Sequence, residues 1–250
     1  MATRFHIAAK ELRGQASAYG KRFDFVEVAV AAAPGSTPES PRSNPALTTL
    51  RRWRKDVPPS FDFCVVAAPA VARLKPGPEL EHELALTQAA ADALRARCIL
   101  LRTPPEVTPS TLHRDRMQKL LERFSRDVTY IVWEPRGVWE VDDAALAAKR
   151  WGVTLVVDAA RDPVPPGPVA YVRLRGLGET RSFGTAALER VVDAIGERRD
   201  AFVVIDTEQA LAECKKLRQV AQDRKRGPDG GYGRLIRPRA GLVVGDDEQE

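Results

Sequence analysis

The sequence predicts an α/β protein: a single (β/α)8 TIM barrel over residues 1–222, with an appendage over 223–250 that is basic and then acidic. Three observations carry this. Eight short apolar runs alternate with segments of helical spacing or composition, and eight strands each generally followed by a helix, in about 220 residues, is the barrel pattern. A chain of 250 residues is long enough to bury one large core. The phosphate loops of the competing open, doubly wound sheet are missing, since no GxGxxG follows the first apolar run and no GxxxxGK[ST] occurs anywhere.

The predicted strands are 5–9, 25–30, 61–67, 98–101, 129–134, 154–158, 170–174 and 201–205, rich in aromatic and β-branched residues. The predicted helices are 15–19, 47–54, 79–95, 112–124, 143–151, 185–195 and 208–222, with Asp142 capping the helix that closes at Gly152 and Asp206 or Thr207 capping the last. Residues 160–168 carry too many prolines for a helix. The stretch AAAPGSTPESPRSNPA, 31–46, follows the second strand and reads as a flexible connector over the C-terminal face, with a lid as the alternative. After residue 222 the glycine-, proline- and arginine-rich RKRGPDGGYGRLIRPRAG ends the pattern.

With 44% hydrophobic and 29% charged residues and a mean hydropathy of −0.30, the chain has the balance of a soluble globular protein. No apolar run approaches the ~18 residues of a membrane span, and the first residues lack the apolar stretch of a secretory signal, so a cytoplasmic protein without a membrane partner is expected. Cys64, Cys98 and Cys214 are widely spaced with no CxxC pair, which excludes a disulfide framework or zinc ribbon and suggests small buried hydrophobes. The net charge of +5 is concentrated near the C-terminus, where Lys215 to Arg239 hold nine basic residues against two acidic ones.

Side chains alternate across a strand, so parity assigns each residue to the barrel lumen or to the helix layer. In YVRLR the aliphatic pair must pack under helices, which places Tyr171, Arg173 and Arg175 inward. The same logic turns Glu27 inward, groups Tyr130, Val132, Glu134 and Arg136, joins Thr154 and Val156 to Asp158, and joins Phe202 and Val204 to Asp206. Arg102 ends the fourth strand on the same side. Four carboxylates, Glu27, Glu134, Asp158 and Asp206, thus face four arginines, Arg102, Arg136, Arg173 and Arg175. Buried ions must be paired or face water and ligand. Two interpretations follow: an ion-pair network that satisfies itself, or an arginine-lined mouth for an anionic or polyhydroxylated small molecule.

The residues resemble a known family, the YecE-like TIM-barrel proteins of unknown function, from about Phe25 to Leu217. VWEPRGVW resembles the family's Glu-x-Arg followed by Trp, YVRLRG its Tyr-Val-Arg-Leu-His-Gly, LLRTPPEVTPS its Leu-Leu-x-x-Pro-Pro segment, FDFVEVAV its Val-Glu strand, and WRKDVPPSFDFCVVA its Trp, Pro, Phe-x-Phe stretch. VVIDTEQALAECKKL stands where the family has Phe-Asn-Asn and a helix. Glu27, Glu134, Arg136, Trp139, Asp158, Tyr171 and Arg173 match the family pattern. Val66 replaces its lysine, Arg175 its histidine, Ile205 and Asp206 its asparagine pair, and its Thr-His after the third strand is absent, marking a divergent member. The resemblance implies a TIM barrel and no established reaction.

For catalysis the candidates are Glu134, Asp158 and Glu27, with Glu27 and Glu134 as a hydrolytic acid/base pair that neighbouring arginines would tend to keep ionised. Arg136, Arg173, Arg175, Trp139, Tyr171, Arg102 and Asp206 are the candidate ligand-binding residues. Oxygen ligands for Mg²⁺ or Mn²⁺ exist, but four arginines among them argue against a metal, and none is assigned; nor is a cofactor. His6, His82 and His113 have no ligand spacing and read as core or solvated residues, and no GxSxG elbow is present. Trp133 falls under the helices by parity, whereas Trp139 is expected at the mouth. The competing class is a nucleic-acid-associated protein, through Lys215 to Arg239 with Tyr232; the RRWRK run at 51–55 fits an amphipathic helix with Trp53 inward. A third class is a catalytically inactive scaffold barrel.

Overall fold

The computed structural model describes residues 3–10, 16–37, 39–124, 130–176 and 182–226, with the side chains of 225 and 226 left aside. The elements run β1 (Arg4–Ala9), α1 (Ala16–Tyr19), β2 (Phe25–Ala29), β3 (Ala31–Ala32), β4 (Ser43–Asn44), α2 (Leu47–Asp56), β5 (Asp62–Val66), α3 (Pro69–Ala72), α4 (Pro78–Leu94), β6 (Cys98–Thr103), α5 (Thr111–Leu121), β7 (Tyr130–Pro135), α6 (Val141–Trp151), β8 (Thr154–Val157), β9 (Val169–Arg175), α7 (Thr185–Ile195), β10 (Asp200–Asp206) and α8 (Ala210–Arg226). Eight strands form one parallel sheet in the order β1-β10-β9-β8-β7-β6-β5-β2. Alternation of these strands with helices makes a nearly closed TIM barrel.

The seam between β1 and β2 has no strand ladder. It is closed by Asp24, whose backbone N–H donates to Ile7 O at 3.0 Å while its carboxylate accepts from Ile7 N at 3.1 Å. Arg218 of α8 holds that carboxylate at 2.9 Å, so the last helix locks the first two strands together.

Two apolar layers result from the alternation of side chains. Between sheet and helices lie Val26, Val28, Phe63, Val65, Leu101, Trp133, Leu155, Val172, Leu174, Val203 and Ile205; Phe25, Cys64, Cys98, Leu100, Val132, Val156, Tyr171, Phe202 and Val204 fill the lumen. All three cysteines are buried and unpaired. Trp133 donates to Thr103 Oγ1 at 3.1 Å and meets Trp139 and Trp151 edge to face, with centroids 4.8 and 5.1 Å away.

Several boundaries differ from those predicted. Helix α6 starts at Val141 with Glu140 as its N-cap, so Asp142 lies in the first turn, where its charge favours the helix dipole without capping it. Helix α8 begins at Ala210, and the Thr207 hydroxyl donates to Glu213 instead of capping the helix by accepting from its first N–H groups. Segment 31–46 is built, not a loose connector: β3 pairs with β4, Arg42 donates to Gly35 O at 2.5 Å, and Ser36 Oγ bonds His82 Nε2 at 2.9 Å. The basic appendage enters α8 as far as Arg226, and 227–250 lie outside the described residues.

At the N-terminal end of the barrel, a second charged network surrounds Asp200, which is fully buried at the start of β10. Its carboxylate receives Arg4 at 2.7 Å, His6 Nε2 at 3.0 Å, Tyr130 at 3.2 Å and Arg97 at 3.3 Å, and His6 reaches Asp62 at 2.9 Å through Nδ1. Burial raises the Asp200 carboxyl, but His6 and Arg4 outweigh it and hold the group below the ordinary range. In barrels of this class that end serves stability.

Asp200→Asn should therefore lower the unfolding free energy in urea by about 3 kcal/mol, because it removes the buried carboxylate that Arg4, Arg97, His6 and Tyr130 share. A loss below about 1 kcal/mol would show that the network is dispensable. Gly137, after β7, has φ +85°, and a Cβ there would lie 2.8 Å from Pro105 Cα. Gly137→Ala should destabilise by more than about 1 kcal/mol, and an unchanged urea midpoint would refute that packing.

Candidate functional site

The lumen charges converge where β2, β6, β7 and β9 run towards the C-terminal face. Arg173 is the deepest, with 3% of its side chain exposed, and its Nη2 donates to Glu27 Oε1 at 2.5 Å. Its Nε lies 3.3 Å from Glu134 Oε1 without forming a hydrogen bond and is a buried N–H with no partner among the described residues. Tyr171, one layer below on β9, donates its hydroxyl to the same Glu27 oxygen at 2.6 Å. Arg102 bridges the two carboxylates, with Nε 2.8 Å from Glu134 Oε2 and Nη2 3.4 Å from Glu27 Oε2. Arg175 completes the group by donating to Glu134 Oε1.

Register explains the convergence. Arg102 is the ladder partner of Glu134, so the two leave the lumen wall side by side. Arg173 and Arg175 sit two residues apart on β9 and project to the same side. Three guanidiniums against two carboxylates leave one positive charge. Burial pushes the Glu134 carboxyl up, and Arg173, Arg102 and Arg175 together overcome it and hold it at about 2. Burial by itself would lower the Arg173 guanidinium, but Glu27 and Glu134 raise it, so it stays charged.

Accessibility divides the group. Arg173, Glu27 and Glu134 are buried, whereas the Arg102 and Arg175 side chains are 27% and 37% exposed. Arg102 Nη1 and Arg175 Nε and Nη1 have no protein partner among the described residues. The outward part of the cluster is thus two guanidinium edges presented by a rigid base of ion pairs.

The other candidate residues stand apart. Asp158 follows β8 and closes a turn, accepting from Ala160 N at 3.2 Å and from the Arg175 backbone N at 3.3 Å; burial pushes its carboxyl up, opposed by those N–H groups and by Arg161 and Arg175. Asp206 pairs with Lys10 at 3.1 Å, not with the central arginines. Arg136 is exposed and lies beyond Pro135, the last residue of β7, so strand parity no longer applies to it. Trp139 does not line the mouth. Its indole donates to Val107 O at 2.7 Å, packs in the tryptophan cluster under the helices, and carries Arg114 above its ring at 4.9 Å.

Glu27 and Glu134 share Arg102 and Arg173, and Glu134 is held ionised, so it is not poised to be the proton-donating member of an acid/base pair. Among the described residues, no three His, Cys, Asp or Glu side chains form a group that could hold a metal ion. In RRWRK, Arg54 lies over the Phe63 ring at 5.2 Å and donates to Phe61 O at 2.7 Å, so that cation is engaged inside the protein. Most of Lys215 to Arg239, including Tyr232, lies outside the described residues. No helix among the described residues is long and apolar enough to cross a membrane. Lys10 was not anticipated by strand parity; its place one residue past the first strand, on the face that barrels use for ligands, was the available signal.

These features define a TIM-barrel protein whose lumen closes on an arginine–glutamate network at the C-terminal end of its strands. The chain belongs to the DUF72 family: residues 42–232 match the family described as "Protein of unknown function DUF72". A DUF72 family protein from Enterococcus faecalis V583 is similar in structure, with a TM-score of 0.63 at 14% identity, covering 88% of this chain and 98% of that one. A DUF72 family protein from Thermotoga maritima MSB8 gives 0.58 at 16% identity over 89% and 98%. A xylose isomerase domain containing protein from Salmonella typhimurium LT2 gives 0.52 at 13% identity over 90% and 97%. At these identities the likeness is one of fold. No curated protein matches the chain.

The depressed Glu134 pKa has a defined consequence for stability. The ordinary value is 4.5 and the folded value about 2, so the stabilisation is complete above about pH 4.5 and is lost as pH falls towards 2. The gap corresponds to about 3 kcal/mol. Glu134→Gln should unfold more easily in urea at pH 7 by that amount, with the difference from the parent shrinking between pH 4.5 and 2. A difference that stays constant across this range would rule out the ion pairs as its source.

Proposed function

We propose that this DUF72 barrel binds a small anionic molecule at the C-terminal mouth of its lumen, with Arg102 and Arg175 as the contacting groups. One observation carries the reading: both arginines anchor on the buried Glu134 carboxylate and keep further N–H donors unpartnered on a partly exposed edge. Anchoring fixes the guanidinium planes before a ligand arrives and reduces the side-chain entropy lost on binding. The excess positive charge of the cluster favours an anion. The carboxylates are engaged by arginine and tyrosine, which disfavours a neutral polyhydroxylated ligand that would need them as acceptors.

Arg173 acts beneath the surface as a positioning residue, holding Glu27 and Glu134 at a fixed spacing. Its unpartnered Nε adds a donor that a ligand oxygen or a water could satisfy. Carboxylate and phosphate both match a guanidinium fork, so the ligand class is an organic acid or a phosphorylated metabolite.

Calorimetric titration with inorganic phosphate, gluconate and 6-phosphogluconate, with glucose as the neutral control, tests this. An anion should bind and glucose should not, and Arg175→Ala should weaken the anion by roughly ten- to a hundredfold, the loss of one charge-assisted contact. Arg102→Lys, which keeps the charge and removes the fork, should weaken it as well. Anion binding that survives both substitutions would place the ligand elsewhere.

A further inference from the structure

A cavity of about 710 Å³ lies to one side of the arginine mouth, over the C-terminal ends of β1 and β10. That volume is in the range of small-molecule sites. Its accessible apolar lining comes from Ala18 of α1 and from Ala210 and Leu211 at the start of α8, while Ile205, Tyr19 and Phe23 lie buried beneath it. The Tyr19 hydroxyl is engaged with the Ala9 backbone, donating to its O at 3.0 Å and accepting from its N at 3.2 Å. Its ring is stacked on Phe23 with centroids 4.2 Å apart, so the pair is a fixed base beneath the cavity. Leu211 is 43% exposed, an apolar side chain at the rim with little protein over it.

The polar part of the cavity centres on one ion pair. Lys10 Nζ lies 3.1 Å from Asp206 Oδ1, with side chains 54% and 25% exposed. Neither partner is saturated, since the ammonium has further N–H donors and the carboxylate a second oxygen. Arg22 and Glu208, both exposed, add one charge of each sign to the lining. The charged lining is thus balanced, unlike the central cluster with its positive excess. A purely anionic ligand would gain Lys10 and meet Asp206, and a purely cationic one would do the reverse.

We propose that this cavity is a binding site for a zwitterionic α-amino acid with an apolar side chain. Its carboxylate accepts from Lys10 and its ammonium donates to Asp206, so that two opposed ion pairs lie side by side. The side chain lies against Leu211, Ala210 and Ala18. The site rests on the β1 and β10 ends, with Gly176 at its edge, and Arg102 of the anion site is not in its lining.

The test is calorimetric titration of the full chain with L-phenylalanine, alongside 3-phenylpropionate, which lacks the ammonium, and phenethylamine, which lacks the carboxylate. Phenylalanine should bind saturably with one site per chain. Each analogue should bind at least roughly tenfold more weakly, the loss of one charge-assisted contact. Lys10→Gln and Asp206→Asn alter partly exposed side chains and should each weaken phenylalanine by a similar factor, while Arg102→Ala, outside the lining, leaves phenylalanine binding unchanged. Absence of binding at millimolar phenylalanine overturns the proposal. So does equal binding of the analogues, which would mean an apolar cleft without zwitterion recognition. Loss of binding in Arg102→Ala would move the ligand to the central mouth and overturn it too.

Discussion

Arg173 occupies the lumen side of β9 with 3% of its side chain exposed, and a guanidinium in that place requires countercharge within reach. Glu27 on β2 and Glu134 on β7 supply it from two other parts of the barrel wall. Because both carboxylates are then committed, Arg102 and Arg175 find their partners already fixed and settle on them from the rim side. The order of charges from lumen to solvent follows: a buried cation, a ring of anions, then two partly exposed cations. Removing either glutamate leaves three guanidiniums to share one carboxylate, whereas removing an outer arginine leaves both carboxylates with a partner.

The two ends of the barrel use the same chemistry for different ends. Around Asp200 the arrangement is inverted, with one fully buried anion gathering His6, Arg4, Arg97 and Tyr130. Between the two networks the lumen is apolar, filled by Phe25, Tyr171, Phe202, Leu100 and Val132, with Cys64 and Cys98 side by side in the ladder. Phe202 stacks on His6 at one end and on Tyr171 at the other, so an aromatic column joins the two charged caps. The apolar middle keeps water from the inner faces of both networks, which strengthens their ion pairs and makes an unpaired member costly.

Strand count, strand order and inward parity could be read from the chain because they depend on local pattern. FVEVA and YVRLR alternate aliphatic with polar residues, and within a ladder the period of two fixes which set faces the lumen. Parity fails where the strand stops. Pro135 closes β7 and has no N–H for a ladder, so Arg136 enters a loop whose path is set by Gly137 packing on Pro105. Trp139 follows the same loop and turns to the helix layer, where Trp133 and Trp151 offer it aromatic edges. Asp158 is lost to the central cluster for a related reason: its carboxylate finds backbone N–H groups nearby and closes its own turn.

The sequence by itself determined the barrel class, most element positions and five of the eight expected inward charges, Glu27, Arg102, Glu134, Arg173 and Arg175, because hydrophobic periodicity and charge placement are properties of neighbouring residues. Closure decided the rest. Glu27 and Arg173 are separated by 146 residues, and Lys10 meets Asp206 only because β1 is laddered to β10. Which carboxylate each arginine takes, which guanidinium edges are left facing solvent, and where an apolar hollow opens beside an ion pair all depend on distances across the sheet. Those distances are fixed by strand register and by the Asp24 seam, through side chains far apart in the chain whose pairing no local pattern encodes.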